Sequence, residues 1–194
     1  MSIMNSALHT YQKKLEQTCS AYSNKTAITY LRDSGSVEDY SYQDMFGYIT
    51  KVSRAYEDMG LKKGDRVAVI LPPAPWAYFS IMGLAYFGAT SVILDGGLQK
   101  DELHRLIIDA DVSMIITSAP IYREKLIDSD VSVLDAYNSW KQLNDKEIKH
   151  AIDPDTDAIA ILYSSGTTSS AKGVVIGYEQ EMNAIEELTK AISE

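Results

Sequence analysis

The sequence is poor in cysteine and in basic residues. Cys19 is the only cysteine among 194 residues, so no internal disulfide forms and a reducing, cytoplasmic compartment is expected. Lysine and arginine number 18 against 27 aspartates and glutamates, which gives a formal net charge of −9. A nucleic-acid partner is therefore not expected, because neutralising backbone phosphates requires a basic face. A nucleotide remains compatible with this charge, since a local group of donors outweighs the field of distant carboxylates.

Targeting and membrane-spanning segments are also not expected. The first six residues have neither a basic region nor an apolar core, so no signal peptide is predicted. One run, 67–94, carries no charged residue and is long enough to span a membrane. Prolines near its start and Gly83 and Gly88 further along interrupt it. This pattern favours a buried strand, a buried helix and a second strand over a membrane span.

The chain has no internal repeat, no low-complexity tract and no clear interdomain linker, which indicates one domain or one domain plus part of another. Strand patterns alternate with helix patterns, which predicts an α/β fold with a largely parallel sheet flanked by helices and an N-terminal hairpin. The predicted helices cover 6–22, 41–59, 76–87, 99–110, 121–127, 137–143 and 179–192. The predicted strands cover 27–31, 37–42, 66–71, 90–94, 112–117, 131–134, 158–163 and 174–176, with a polar connection at 146–156.

Two local patterns predict where the second helix starts and that the strand at 66–71 is buried. Ser41 followed by Asp44 resembles a capping box, with aspartate in place of glutamate, and starts the second helix. The strand at 66–71 is a continuous apolar run, which is typical of a sheet covered on both faces.

The segment 163–174 carries the clearest functional signal. It reads Tyr-Ser-Ser-Gly-Thr-Thr-Ser-Ser-Ala-Lys-Gly-Val and lies between two apolar strands. Small residues let backbone N–H groups and hydroxyls approach phosphate oxygens closely, and the lysine adds a mobile positive charge. The segment therefore predicts a loop that binds the phosphates of a nucleotide; a serine- and threonine-rich surface connection is the alternative.

A Walker phosphate loop fits this segment poorly. Counted from Gly166, Lys172 has the Walker spacing, but Ala171 replaces the glycine before it and Gly173 replaces the hydroxyl residue that would hold Mg²⁺. A strand also follows the lysine where a Walker loop has a helix. A P-loop nucleotidase is therefore the weaker interpretation.

The segment resembles the phosphate-binding signature of the adenylate-forming superfamily, which includes acyl- and aryl-CoA synthetases, luciferases and peptide-synthetase adenylation domains. That signature has the form Tyr-[Ser/Thr]-Ser-Gly-Thr-Thr-Gly-x-Pro-Lys-Gly-Val, and nine of its positions match here. Four further segments resemble other family elements in the family's order: 24–28, 40–45, 61–68 and 84–95. The resemblance covers nearly the whole chain and implies that residues 1–194 are the N-terminal part of the family's AMP-binding domain, with the rest of the enzyme outside this sequence.

The resemblance implies a function as well. Such a ligase activates a carboxylic acid with ATP, releases pyrophosphate, and transfers the acyl group to a thiol of coenzyme A or a carrier protein. Its nucleotide-binding residues here would be Ser164, Ser165, Gly166, Thr167, Thr168, Ser169, Lys172 and Gly173. The threonine pair within this set favours the CoA ligases over the peptide synthetases. No catalytic residue and no Mg²⁺ ligand is expected within this chain, because the matching family elements are missing, so the isolated chain is expected to be inactive.

Three departures from the family pattern favour an alternative, a non-catalytic relative or a nucleotide-binding scaffold. Ser169 replaces a glycine, Ala171 replaces a proline, and Tyr178 stands where many members have histidine. A Cβ at position 169 is unfavourable if the loop needs a positive φ there.

The remaining polar candidates are interpreted as structural. His9, His104 and His150 lack metal-ligand spacing and are expected at the surface. The aspartates at 109, 111, 153, 155 and 157 are interpreted as solvated carboxylates of helix ends and loops, and Asp95 as part of a turn after a strand. No metal site is therefore predicted in this chain, and oligomeric state is not readable from it.

Overall fold

A computed structural model describes residues 11–136, 158–164 and 171–193. The elements, in chain order, are α1 (Tyr11–Ala21), β1 (Thr26–Leu31), β2 (Val37–Ser41), α2 (Tyr42–Asp58), β3 (Arg66–Ile70), α3 (Pro75–Phe87), β4 (Thr90–Ile93), α4 (Lys100–Asp109), β5 (Met114–Thr117), α5 (Ala119–Ile121), a π-helix (Tyr122–Leu126), β6 (Ser132–Asp135), β7 (Ala158–Ser164), β8 (Lys172–Gly177) and α6 (Tyr178–Ser193). The predicted helix at 137–143 and the polar connection at 146–156 lie outside the described residues.

A six-stranded sheet in the order β6-β5-β3-β4-β7-β8 organises the fold. Five of its strands run parallel, and only β8 runs antiparallel to its neighbour β7. The carboxyl ends of β3 to β7 therefore meet at one edge of the sheet, which is where open α/β sheets bind ligands. The prediction of a largely parallel α/β sheet is confirmed.

Apolar side chains cover both faces of this sheet. On one face Val67 and Val69 of β3 pack with Tyr56 of α2 and Leu84 of α3. On the other face the alternate residues of β3 pack against α4, in a cluster that includes Leu103. Because both faces are buried, the strand has no polar alternation, as its apolar run predicted.

The N-terminal hairpin and the helix after it follow their local signals. β1 and β2 pair antiparallel in a separate two-stranded sheet. The amide of Asp44 donates to Oγ of Ser41 at 3.1 Å, and the amide of Ser41 donates to Oδ2 of Asp44 at 3.0 Å. This reciprocal pair is the predicted capping box, and it satisfies N–H groups that the first helical turn leaves without partners.

Two elements differ from the sequence prediction. The strand predicted at 174–176 is longer, because β8 begins at Lys172 and ends at Gly177. The helix predicted at 121–127 is a short α-helical turn followed by a π-helix. Within the described residues no helix is both long and apolar enough to cross a membrane.

Candidate phosphate-binding site

The two ends of the predicted phosphate loop lie side by side at the carboxyl edge of the sheet. β7 ends at Ser164, and the antiparallel register pairs Ser164 directly with Lys172, the first residue of β8. Seven residues, 165–171, connect these two paired strand ends. Ser165, Gly166, Thr167, Thr168 and Ser169, five of the predicted ligand residues, lie outside the described residues.

Lys172 is exposed at the base of this loop. Its ammonium has no hydrogen-bond or ion-pair partner among the residues that the structure describes. The sequence placed Lys172 in the loop itself, whereas it starts a strand and its backbone belongs to a ladder. The backbone of Lys172 is fixed in the ladder, while its exposed ammonium is available to bind an anion in the loop.

Gly173 lies opposite Tyr163 in the same ladder. A Cβ added at Gly173 would lie 3.2 Å from Cζ of Tyr163 and 3.2 Å from Cγ2 of Ile161. The tyrosine ring therefore covers the glycine, and the close approach explains why a residue without a side chain fits there.

A β-bulge between Ala158 and Ala160, at the start of β7, changes which side chains of the strand face α4. Ile159 packs with Tyr178 on the α3 side, whereas Ile161 and Tyr163 pack on the α4 side. Residues of the same parity would share one face in a regular strand, so the bulge rotates the strand and turns the tyrosine toward α4.

The hydroxyl of Tyr163 donates a hydrogen bond to Oδ2 of Asp109 at 2.7 Å. Partial burial, together with the hydrogen bond to Asp109 and its charge, raises the pKa of Tyr163 to about 12, against the weaker opposing effect of Arg105 and Arg66. The phenol is therefore neutral at physiological pH and keeps the proton that it donates. Asp109 is exposed, as the sequence interpretation expects, but it is a hydrogen-bond acceptor for the strand that enters the loop, which that interpretation missed.

The helix that carries Asp109, the acceptor of the hydrogen bond from Tyr163, is itself fixed against the sheet. Asp109 is the last residue of α4, and Nη1 of Arg66 donates to the carbonyl oxygen of the next residue, Ala110, at 3.0 Å. A guanidinium at a helix C-terminus donates hydrogen bonds to carbonyl oxygens that have no partner within the helix. Its positive charge also interacts favourably with the negative end of the helix dipole. The end of α4 is thus fixed against the start of β3.

Two of the three departures from the family pattern fall in the described residues. Ala171 is half-buried and packs against the cluster beneath α4, so the change from proline leaves the position filled by an apolar side chain. Tyr178 is buried, and its hydroxyl donates to the carbonyl oxygen of Ala85 at 2.6 Å. It is thus a core residue that joins α6 to α3. Ser169 lies outside the described residues.

The turn after β4 reaches the same edge, next to β7. The amide of Gly97 donates to Oδ1 of Asp95 at 2.8 Å, which confirms the predicted turn. Nζ of Lys125 donates to the carbonyl oxygens of Gly96 and Leu98 at 2.7 and 2.8 Å. An ammonium from the π-helix thus fixes the loop beside the candidate site, a contact that no local pattern in the sequence indicated.

The other polar groups in the described part of the chain do not form a cluster that could hold a metal ion. Within residues 11–136, 158–164 and 171–193, no group of three or more histidine, cysteine or acidic side chains is arranged to hold a metal ion. His104 is half-buried, and its Nε2 lies 2.9 Å from the carbonyl oxygen of Lys125. His9 and His150 lie outside the described residues. A cavity of about 420 Å³ at the ends of β5 and β6, lined in part by Thr117 and Asp135, is separated from β7 by two strands.

Comparison with known proteins identifies relatives of the chain. A family model described as AMP-binding enzyme matches residues 15–192. A crotonobetaine/carnitine–CoA ligase of Citrobacter koseri is 33% identical, over 80% of this chain and 34% of that protein. The corresponding ligase of Salmonella paratyphi A is also 33% identical, with the same coverage. The chain spans about a third of the length of these relatives.

Solved structures show the same fold. An O-succinylbenzoate coenzyme A synthetase from Bacillus subtilis in complex with AMP superposes with a TM-score of 0.77 at 20% identity, covering 89% of this chain and 44% of that chain. A fatty acyl-adenylate ligase from L. pneumophila, in complex with acyl adenylate and pyrophosphate, gives a TM-score of 0.77 at 17% identity and covers 93% of this chain and 32% of that one. The peptide synthetase FmoA3 superposes with a TM-score of 0.82 at 17% identity, covering 95% of this chain and 19% of that chain. These likenesses identify the fold as that of adenylate-forming domains.

Proposed function

Because the chain belongs to the AMP-binding enzyme family, we propose that it supplies the pyrophosphate-side loop of an AMP-forming ligase that joins a carboxylic acid to a thiol. Residues 1–194 are then the N-terminal part of the AMP-binding domain. The observation that carries this proposal is the register of β7 and β8, which pairs Ser164 with Lys172 at the carboxyl edge of a parallel sheet.

In the proposed reaction a carboxylate oxygen of the acid attacks the α-phosphorus of ATP. A bond forms between that oxygen and phosphorus, the bond to the bridging oxygen breaks, and pyrophosphate leaves with the electron pair. Negative charge grows on the leaving group, so donors that hold the β- and γ-phosphates favour the step. Ser164, Ser165, Gly166, Thr167, Thr168, Ser169 and the amide of Gly173 would provide donors, and Lys172 would provide the cation.

The acyl-adenylate would then pass its acyl group to a thiol, with release of AMP. The names of the two CoA ligases reported above favour coenzyme A as that thiol, and a carrier-protein arm is the alternative. Among the described residues no group of three or more histidine, cysteine or acidic side chains is arranged to hold a metal ion, and we assign Mg²⁺ no step in this chain. The single cysteine, Cys19, is buried and agrees with a reducing, cytoplasmic compartment.

A non-catalytic relative remains the second candidate, and Ser169 is the observation that favours it. The change at Tyr178 no longer favours this candidate, because that side chain is buried between α6 and α3 and away from solvent. Both the ligase and the non-catalytic relative would bind the phosphates of a nucleotide, but only the ligase would form an acyl-adenylate.

Calorimetric titration of the 194-residue chain tests the proposal. ATP and pyrophosphate should bind, and AMP should bind at least tenfold more weakly than ATP, because AMP lacks the two phosphates that the loop would hold. Lys172→Ala should lower ATP affinity about tenfold, the effect of losing one charge-assisted hydrogen bond. Lys13→Ala, which removes an exposed lysine of α1, is the matched control and should bind ATP like the unsubstituted chain. Equal binding of AMP and ATP, or unchanged binding by Lys172→Ala, would contradict the proposal.

An exchange assay addresses the chemistry. We expect no carboxylate-dependent exchange of pyrophosphate into ATP by the 194-residue chain. Measurable exchange would show that these residues contain a complete adenylation site and would overturn their assignment as one part of it.

A further inference from the structure

Tyr163 connects three elements at the root of the predicted phosphate loop. It lies on β7, its ring covers Gly173 of β8, and its hydroxyl is bound to Asp109 of α4. Tyr163 and Gly173 are the immediate neighbours of Ser164 and Lys172, the pair that closes the loop. The contact between ring and glycine therefore lies one residue away from each end of the loop.

The first part of β8 has few other contacts with the described residues. β8 is the last strand of the sheet, and Val174 and Val175 are 55% and 64% exposed although they point to opposite faces. The first four residues of β8, 172–175, are exposed and are held mainly by the ladder with β7 and by the contact to Tyr163, whereas Ile176 and Gly177 at the far end are half-buried. The hydrogen bond to Asp109 fixes the ring of this tyrosine.

The acceptor in this contact is rigidly placed. Asp109 ends α4, the apolar face of α4 packs on the sheet through Leu103 and Leu106, and Arg66 binds the carbonyl oxygen of Ala110. The charged groups that face the phenol are Asp109, Arg105 and Arg66, and the raised pKa of Tyr163 keeps it a donor across the physiological range.

We propose that Tyr163 is a positioning residue for phosphate binding: its ring and its bond to Asp109 fix Gly173, and through it the backbone of Lys172, where the loop meets a triphosphate. This role rests on the proposed function, because the position of Lys172 matters to a ligand only if the loop binds phosphates. Tyr163 itself need not touch the nucleotide, and Asp109 acts only through it.

Tyr163→Phe and Asp109→Ala distinguish the contribution of the hydrogen bond from that of the ring. Both variants keep an aromatic ring over Gly173 and remove the contact to α4. We expect each to weaken ATP and pyrophosphate binding by the 194-residue chain roughly three- to tenfold, the range for one hydrogen bond, and the double variant to be no weaker than either. Amide hydrogen exchange along β8 should accelerate in both variants, because the edge strand is less firmly held.

The control is a second tyrosine–carboxylate pair with the same chemistry. The hydroxyl of Tyr40 donates to Oε2 of Glu38 at 3.1 Å in the N-terminal hairpin, and the pKa of Tyr40 is likewise raised to about 12, mainly by burial. Tyr40→Phe should leave ATP affinity and exchange along β8 unchanged. AMP binding and the thermal midpoint are measured for every variant, since a merely structural loss would lower both.

The outcomes separate this inference from the proposed function. If Lys172→Ala weakens ATP binding while Tyr163→Phe and Asp109→Ala do not, the positioning role is wrong and the function stands. If the Tyr163 and Asp109 variants lose AMP and ATP binding equally, with a large drop in thermal midpoint, the contact is structural and the role is also wrong. If the unsubstituted chain does not prefer ATP to AMP, the proposed function and the positioning role both fail.

Discussion

The hydroxyl of Tyr178 donates to the carbonyl oxygen of Ala85 across the interface of α6 and α3, at 2.6 Å. Ala85 lies in the last turn of α3, where carbonyl oxygens have no partner within the helix. Gln12 of α1 likewise donates to the carbonyl oxygen of Tyr86. Side chains from α1 and α6 therefore cap the C-terminus of α3, and Tyr178 is part of this cap.

Replacing Tyr178 by phenylalanine should destabilise the chain by about 1–3 kcal/mol, because a buried carbonyl oxygen loses its partner. Urea unfolding followed by circular dichroism measures the change. Tyr22→Phe, at a tyrosine that is 46% exposed, is the control and should change stability by less than about 0.5 kcal/mol. Equal effects of the two substitutions would contradict the capping role.

Gly83 and Gly47 should respond oppositely to alanine. A Cβ at Gly83 would lie 2.9 Å from Cγ1 of Val52, where α2 and α3 are in contact, whereas a Cβ at Gly47 in α2 would meet nothing within 4 Å. We expect Gly83→Ala to cost about 1–3 kcal/mol through overpacking and Gly47→Ala to stabilise by up to about 1 kcal/mol through helix propensity. Thermal unfolding measures both, and a stabilising Gly83→Ala would show that the two helices are not so closely packed.

The capping box should give a pH-dependent contribution to stability. Hydrogen bonds from the hydroxyl and then the amide of Ser41 lower the pKa of Asp44 below its ordinary value. The contribution is therefore fully present above the ordinary aspartate pKa and is lost as the pH falls through the lowered one. Asp44→Ala should cost roughly 0.5 kcal/mol at pH 7, because solvent screens this exposed carboxylate, and less as the pH approaches 2. A difference that stays constant down to pH 2 would count against this account.

Gly173→Ala tests the contact between β8 and the ring of Tyr163. We expect a loss of roughly 1 kcal/mol in unfolding free energy, since the added methyl must displace the ring or the edge strand. Combined with Tyr163→Leu, the same substitution should cost less than it does alone, because the ring that it collides with is gone. Strict additivity in urea unfolding would contradict direct contact.

Most of the fold could be predicted from the sequence, because its signals are local. The hairpin, the Ser41–Asp44 cap and the buried strand at 66–70 each depend on residues within a few positions of one another. The length of β8 could not be predicted, since Lys172 and Gly173 have no strand pattern of their own. They are extended because β7 offers them ladder partners.

The candidate site divides in the same way. The signature at 163–174 and its likeness to a phosphate loop come from the sequence alone, and so does the place of Lys172 in it. The hydrogen bond from Tyr163 to Asp109 joins residues 54 positions apart. The bond that holds Tyr178 in the core goes to Ala85, 93 positions away. Only the tertiary structure decided these contacts, because strand order and helix packing bring such residues together, whereas periodicity reports only on neighbours along the chain.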